Sequence, residues 1–291
     1  MGSEIRVEIP KIDFTGVELS KTGTKEWDKT KEKVMDALEK HGCFEAMFDR
    51  VSMELRDEFF GPVLDELFKV PLDLKILNSS DKPFQGYIPK RPELGFEMAW
   101  KLTRGLTELE LIVRKMVVEG LGAEKHFESL VKSTTHIMRM AEYGPPVNQE
   151  TMVAMTTHKD MNLLTIICQH HGEGLELQTK SGDWFHASPC SFNVIIGESF
   201  EAWSNGRLTP TPHRVKMSNN DTRRSIGLAS QFKYGWIIQA PDELVNQDNP
   251  LQYKPYTYEG YLNFLFSEEP WGKKLKTLKA YCGVEGKEMV P

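Results

Sequence analysis

Cysteine is scarce and scattered. The four cysteines, Cys43, Cys168, Cys190 and Cys282, lie far apart and form no C-x-x-C pair, which fits a reducing compartment better than a disulfide framework or a zinc knuckle. The chain also lacks any run of about eighteen apolar residues, so no bilayer span and no membrane partner are expected. Positive charge is in deficit, with 36 Lys and Arg against 42 Asp and Glu and a net charge of −6, which leaves no basic face for a nucleic acid. The opening residues M-G-S-E-I-R-V show no basic stretch followed by an apolar one, so no secretory signal is expected. Arg6 stands where a myristoylation motif needs Ser or Thr. Without a signal, the sequons at Asn78 and Asn220 are read as accidents of composition. Internal repeats and low-complexity tracts are missing too. A cytoplasmic, monomeric globular protein is the expectation.

With 291 residues, 40% of them hydrophobic and 27% charged, there is ample chain for a real core. Alternation over 5–14 predicts a short strand. Residues 24–40 predict an amphipathic helix with Trp27, Val34, Ala37 and Leu38 on one side and Gly42 placed to end it. A strand over 43–48 and a helix over 52–69 follow, the helix burying Leu55, Phe59, Val63, Leu64, Leu67 and Phe68 and ending at Pro71. Residues 79–96 read as loop, and 103–121 as a long helix whose aliphatic and Met stripe belongs to a core. From about residue 135 the texture changes to eight short β-forming runs, at 136–143, 152–157, 162–169, 174–178, 183–187, 192–197, 213–217 and 224–233. Glycine- and proline-rich turns separate them. That pattern suggests a closed or two-sheet β architecture, of which the jelly roll is one candidate. A helix at 257–267 and a basic segment, Lys273–Lys276, read as a solvated helix face, complete the chain. The expected organisation is an N-terminal α/β region (1–130), a β core (131–240) and a C-terminal helical segment (241–291), packed as one compact unit.

Within the β region, His158, Asp160 and His213 offer two imidazoles and one carboxylate. Two histidines and a carboxylate on one face of a metal, with other positions open, is the set that non-haem Fe(II) oxygenases use. His158 and Asp160 sit at the end of a predicted strand, where side chains two apart point the same way. His213 begins another strand and is expected to close the set from across a barrel. The H-x-E pairs at His126 and His171 are weaker: the first straddles a helix boundary, where residues two apart share no face, and the second lies in a glycine-flanked turn.

The order His158-x-Asp160, His213 fifty-five residues later, and Arg223-x-Ser225 ten beyond it resembles the plant 2-oxoglutarate/Fe(II)-dependent dioxygenases. So do Trp203-Ser204-Asn205-Gly206, Trp184, Pro189 and the early Ile9-Pro10-x-Ile12-Asp13. Gly144-Pro145-Pro146 and the stretch from Ile195 to Gly206 look most like the branch of glucosinolate side-chain oxygenases called AOP enzymes. The resemblance implies a mainly β fold with flanking helices, a double-stranded β-helix (jelly-roll, cupin-like) core behind an N-terminal helical region. It implies Fe(II) on His158, Asp160 and His213, and 2-oxoglutarate held at its distal carboxylate by Arg223 and Ser225 with Tyr143 alongside. Arg224, facing the other way, is expected to play no part in that grip. The implied reaction couples O2 and 2-oxoglutarate decarboxylation to succinate with hydroxylation, desaturation or dealkylation of a small plant specialised metabolite, with ascorbate as reductant. Phe84, Tyr87, Gln231 and Phe232 are the guessed substrate walls.

The sequence departs from the family pattern at three places. Ala141 replaces an asparagine, Ile195-Ile196-Gly197-Glu198 replaces N-x-G-D, and the chain between Tyr87 and the helix near 103 is shorter by a few tens of residues. The shortened segment usually walls the substrate pocket, so a more open site is expected, partly closed by the C-terminal helix around Tyr258, Tyr261 and Phe264. Two alternatives stay open at this stage: an oxidase of the same superfamily that uses no 2-oxoglutarate, and a ligand-binding descendant without redox chemistry.

Overall fold

A computed structural model describes residues 9–75, 95–146, 152–170, 173–180, 182–189, 191–217, 222–267 and 276–284. The N-terminal region runs β1 (Lys11–Asp13), α1 (Lys25–His41), β2 (Cys43–Met47), α2 (Met53–Glu58), a π-helical turn (Phe59–Val63), α3 (Leu64–Lys69), α4 (Leu72–Lys75), α5 (Gly95–Gly120) and α6 (Phe127–Ser133). The strands β3 (Thr134–Tyr143), β4 (Val153–His158), β5 (Leu164–Gln169), β6 (Leu175–Gln178), β7 (Trp184–His186) and β8 (Phe192–Ile196) follow. Then come α7 (Glu198–Trp203), β9 (His213–Lys216), β10 (Arg223–Phe232), β11 (Ile237–Ile238), β12 (Tyr256–Thr257), α8 (Tyr258–Phe266) and α9 (Leu278–Cys282).

α1 starts where Thr24 accepts a hydrogen bond from the Trp27 amide and stops at Gly42, whose φ of 73° is left-handed. A side chain there would also collide with Thr209, since a Cβ would stand 2.2 Å from its carbonyl oxygen. The single helix expected over 52–69 is instead two α segments joined by the π turn. Pro62 lies inside that turn; it has no N–H to give the ladder, and the chain accommodates it by widening one turn. α5 begins at Gly95, eight residues before the expected start, and its Leu106, Leu109, Ile112, Val113, Met116 and Val117 are all buried.

Six strands form one sheet in the order β1-β2-β8-β5-β10-β3, antiparallel except for β1 with β2. Residues 11–47 therefore supply two strands of the sheet that the later chain builds. A second sheet runs β4-β9-β6-β7. β8 is buried along its whole length because both faces are covered. Phe192, Val194 and Ile196 belong to the main core, while Ile195 packs with Cys43, Leu175, Leu177 and Phe185 and so ties the two sheets together. The basic segment expected to be solvated is described only from Lys276, whose ammonium donates to the carbonyls of Leu265 and Ser267 at the end of α8. It caps a helix C-terminus.

Candidate active site

His158 and His213 are direct partners across the β4–β9 ladder, with ring centroids 4.3 Å apart. The two imidazoles thus come from neighbouring strands of one sheet, not from across a barrel as expected. Pairing is irregular along β4, with register shifts on both sides of Met155, and such bulges re-aim side chains beside sites. Each ring is fixed through its Nδ1, which donates to a carbonyl two residues back: Thr156 at 2.8 Å for His158 and Thr211 at 3.1 Å for His213. A carbonyl can only accept, so both Nε2 atoms are left as lone-pair donors to a metal. Burial, then the neighbouring His213, lowers the proton affinity of His158 and keeps it in the neutral form a metal needs.

Asp160 lies beyond the end of β4, so strand alternation does not aim it. A clamp does. The amides of Gly197, Glu198 and Ser199, at the start of α7, donate to the carbonyls of Leu163, Asp160 and Asn162. Gly197 is glycine because this approach leaves no room: a Cβ would sit 2.1 Å from the Asn162 carbonyl oxygen. Asn162 Nδ2 donates to Thr165 Oγ1 at 2.8 Å, and the Thr165 hydroxyl donates to Asp160 Oδ2. The other oxygen, Oδ1, stands 3.7 Å from Nε2 of each histidine. One ligand atom from each of the three residues falls within 4.8 Å of the others, and no other such group occurs among the described residues. Two neutral imidazole nitrogens and one carboxylate oxygen, without a thiolate, suit Fe(II). His126 bonds Glu243 rather than Glu128; His171 lies outside the described residues.

On the neighbouring sheet, Arg223 and Ser225 share the inner face of β10. Arg223 is 2% exposed, and its Nη1 donates to Ser225 Oγ at 3.2 Å. Its Nε and Nη2 donate to Gln169 Oε1 at 3.3 and 3.0 Å, and Gln169 is held in turn through its Nε2 on the Ala187 carbonyl. Both hydrogen-bond partners are neutral, and burial pulls the Arg223 pKa down to about 10. A buried guanidinium bonded only to neutral groups is a place for an anion. Tyr143, its partner across the β3–β10 ladder, lays its ring 5.5 Å beneath the guanidinium carbon. Gly174, with φ of 148°, lets the arginine pass, since a Cβ there would stand 2.8 Å from Arg223 Cδ. Gln169, Gly174, Asn162 and Thr165 were not singled out from the sequence, because no local spacing marks a residue that acts only on another side chain.

Phe232 falls on the opposite face of β10 and is buried in the main core, so strand parity removes it from the site. Gln231 is on the inner face but six residues beyond Ser225, roughly 20 Å along the strand. Phe84 and Tyr87 lie outside the described residues. Of the C-terminal helix, Tyr258 is buried close enough to Asp160 for that carboxylate, after burial, to raise its pKa. Tyr261 instead donates to Glu198 at 2.6 Å, and Phe264 packs on Tyr281. The motif Trp203–Gly206 is structural: Asn205, at φ 53°, donates through Nδ2 to the Leu244 carbonyl and accepts from the Gln252 amide, holding the C-terminal stretch in place.

Residues 134–231 match the 2OG-Fe(II) oxygenase superfamily. A probable 2-oxoglutarate-dependent dioxygenase, AOP1.2 of Arabidopsis thaliana, is 35% identical over 91% of this chain and 92% of its own. Among solved structures, the dioxygenase for auxin oxidation from rice superposes with a TM-score of 0.75 at 25% identity, over 88% of this chain and 94% of that one. JOX2, solved with 2OG, Fe and JA, gives 0.75 at 21% identity over 97% and 92%.

Proposed function

The chain belongs to the 2OG-Fe(II) oxygenase superfamily, on the branch of the AOP dioxygenases, and from that premise we propose which of its residues carry the reaction. The fold is the double-stranded β-helix with flanking helices, and the activity is that of a 2-oxoglutarate- and Fe(II)-dependent dioxygenase. His158, Asp160 and His213 hold the iron; the observation that carries this is the convergence of their three ligand atoms within 4.8 Å. When bound, the metal and 2-oxoglutarate supply the oxidising chemistry, with O2 consumed and succinate released. Arg223 and Ser225 bind the distal carboxylate of 2-oxoglutarate, with Tyr143 beneath, and Gln169 sets the arginine's direction. The Nδ1 bonds of the two histidines fix the tautomer and aim Nε2 at the metal, while burial and the neighbouring His213 favour the neutral form of His158. Thr165 fixes which oxygen of Asp160 faces the metal.

The substrate is a small plant specialised metabolite that is hydroxylated, desaturated or dealkylated, in a cytoplasmic monomer kept active by ascorbate. In support, no described helix is long and apolar enough to cross a membrane. The N-terminal region, the β core and the C-terminal segment act as one compact unit. Anaerobic titration of metal-free protein with Fe(II), wild type against His213→Ala, tests the metal assignment; equal affinity ends it. Succinate release with Fe(II), ascorbate and a panel of candidate metabolites tests the reaction.

A further inference from the structure

Directly paired residues of adjacent strands project to the same side of a sheet. On the inner face of β10 and β3 the pairs run Arg223 with Tyr143, Ser225 with Ala141, Gly227 with Arg139, and Ala229 with Ile137. The first two pairs form the 2-oxoglutarate wall. The third sets a cation opposite a residue that has no side chain. Among the described residues, a Cβ built on Gly227 would meet no atom within 4 Å, so they leave the inner face open there, and its neighbours Ala141 and Ala229 are small. Arg139 is exposed although it faces inward, which means that this hollow connects to solvent. It lies about 7 Å along the ladder from the Ser225 pair.

We propose that Arg139 anchors an oxyanion group of the primary substrate, so that the substrate is an organic acid seated over Gly227 between the arginine and the metal ligands. The inference rests on the assignment of Arg223 and Ser225 to 2-oxoglutarate. That co-substrate has one distal carboxylate, and Arg223 takes it, so an anion bound at Arg139 belongs to another molecule. The planar fork of a guanidinium matches the paired oxygens of a carboxylate or a sulfate. The hollow formed by Gly227, Ala141 and Ala229 gives the carbon skeleton room beside the ladder.

The test is anaerobic binding to the Fe(II)–2-oxoglutarate protein. The probes are a panel of aliphatic and aromatic carboxylic acids of graded length, each with its primary amide, and the matching alkyl and aryl sulfates with their alcohols. Calorimetry gives affinity, and paramagnetic broadening of the probe's NMR lines by iron gives proximity. At least one acid should bind about tenfold to a hundredfold tighter than its neutral partner, the strength of a charge-assisted pair. Arg139→Gln should abolish that preference and Arg139→Lys should keep part of it. Whether carboxylates or sulfates show the preference identifies the group. An absence of any acid preference across the panel, or a preference that survives in Arg139→Gln, overturns the proposal. Affinity for 2-oxoglutarate separates the two readings: it should be unchanged in Arg139→Gln and lost in Arg223→Gln. If Arg139→Gln loses it instead, Arg139 belongs to the co-substrate and the substrate reading falls. If Arg223→Gln keeps it, the underlying assignment fails.

Discussion

The hydroxyl of Thr165 donates to Oδ2 of Asp160, so only Oδ1 is turned toward the two histidines. Thr165 is not one of the three proposed metal ligands and acts by orienting one of them. Thr165→Val keeps the shape and removes the donor. Groups that orient metal ligands are typically worth tenfold to a hundredfold in metal affinity. Fe(II) affinity measured anaerobically should fall by about that factor while the melting temperature changes little. Unchanged affinity would mean that the clamp from Gly197 to Ser199 suffices to aim the carboxylate.

Arg223 and Arg224 are adjacent and should respond oppositely. Removing Arg223 strips a buried anion of its partner, at a cost of about 3–5 kcal/mol, which is roughly a hundredfold to several-thousandfold in 2-oxoglutarate affinity. Arg224 points the other way, and indifference is expected of it only toward the co-substrate. Its guanidinium donates to Glu142 at 2.8 Å, to Asp65 at 2.6 Å and to the carbonyl of Phe60 in the π turn at 2.8 Å. It therefore pins the widened helix to the β3–β10 edge. Arg224→Ala should leave 2-oxoglutarate affinity within a factor of about two but lower the melting temperature by several degrees. A larger loss of affinity in Arg224→Ala than in Arg223→Ala would show the strand register to be wrong.

Burial raises the Glu198 carboxyl to about 6, against a bond from Tyr261 that opposes the shift. The native chain therefore holds this proton to a higher pH than the unfolded chain does. The associated stability is complete below the ordinary glutamate range and is lost as pH rises through about 6, a change on the order of 2 kcal/mol. Glu198→Gln keeps an acceptor for Tyr261 and removes the titration. The variant should melt higher than wild type at pH 8, and the gap should close at pH 4.5. Parallel stability curves for the two proteins would exclude this account.

The stretch before α5, which the resemblance implies is shorter than in the family, should show in the coupling of the reaction. The side chains of His158 and Asp160 are 34% and 21% exposed. A closed site keeps water and stray reductants from reactive species, and lids usually supply the closure. Turnover of 2-oxoglutarate without substrate should be appreciable, with progressive self-inactivation, and bulky substrates should be tolerated. Succinate measured against product, with and without saturating substrate, checks this. Tight coupling would mean that another part of the chain seals the site.

Much of this protein is written locally. The strands from 134 to 232 could be read because their alternation and turn residues are short-range signals, and the helices because of their apolar periodicity and the end marks Gly42 and Pro71. The set His158, Asp160, His213, Arg223 and Ser225 could be read because the spacing of unusual residue types carries it. The sequence could not say that His158 and His213 are neighbours in one sheet, since register depends on a bulged pairing between strands far apart in the chain. Nor could it say that Asp160 is aimed by α7 and Thr165 rather than by its own strand, or that Gln169 and Gly174 shape the place of Arg223. Phe232 looked like a wall because it adjoins the site in sequence, and parity sends it to the core. Arg139 carried no signal in the sequence; the ladder sets it opposite Gly227. Residue type and spacing decided the chemistry; orientation came from contacts between distant segments, which exist only once the sheets have paired and packed.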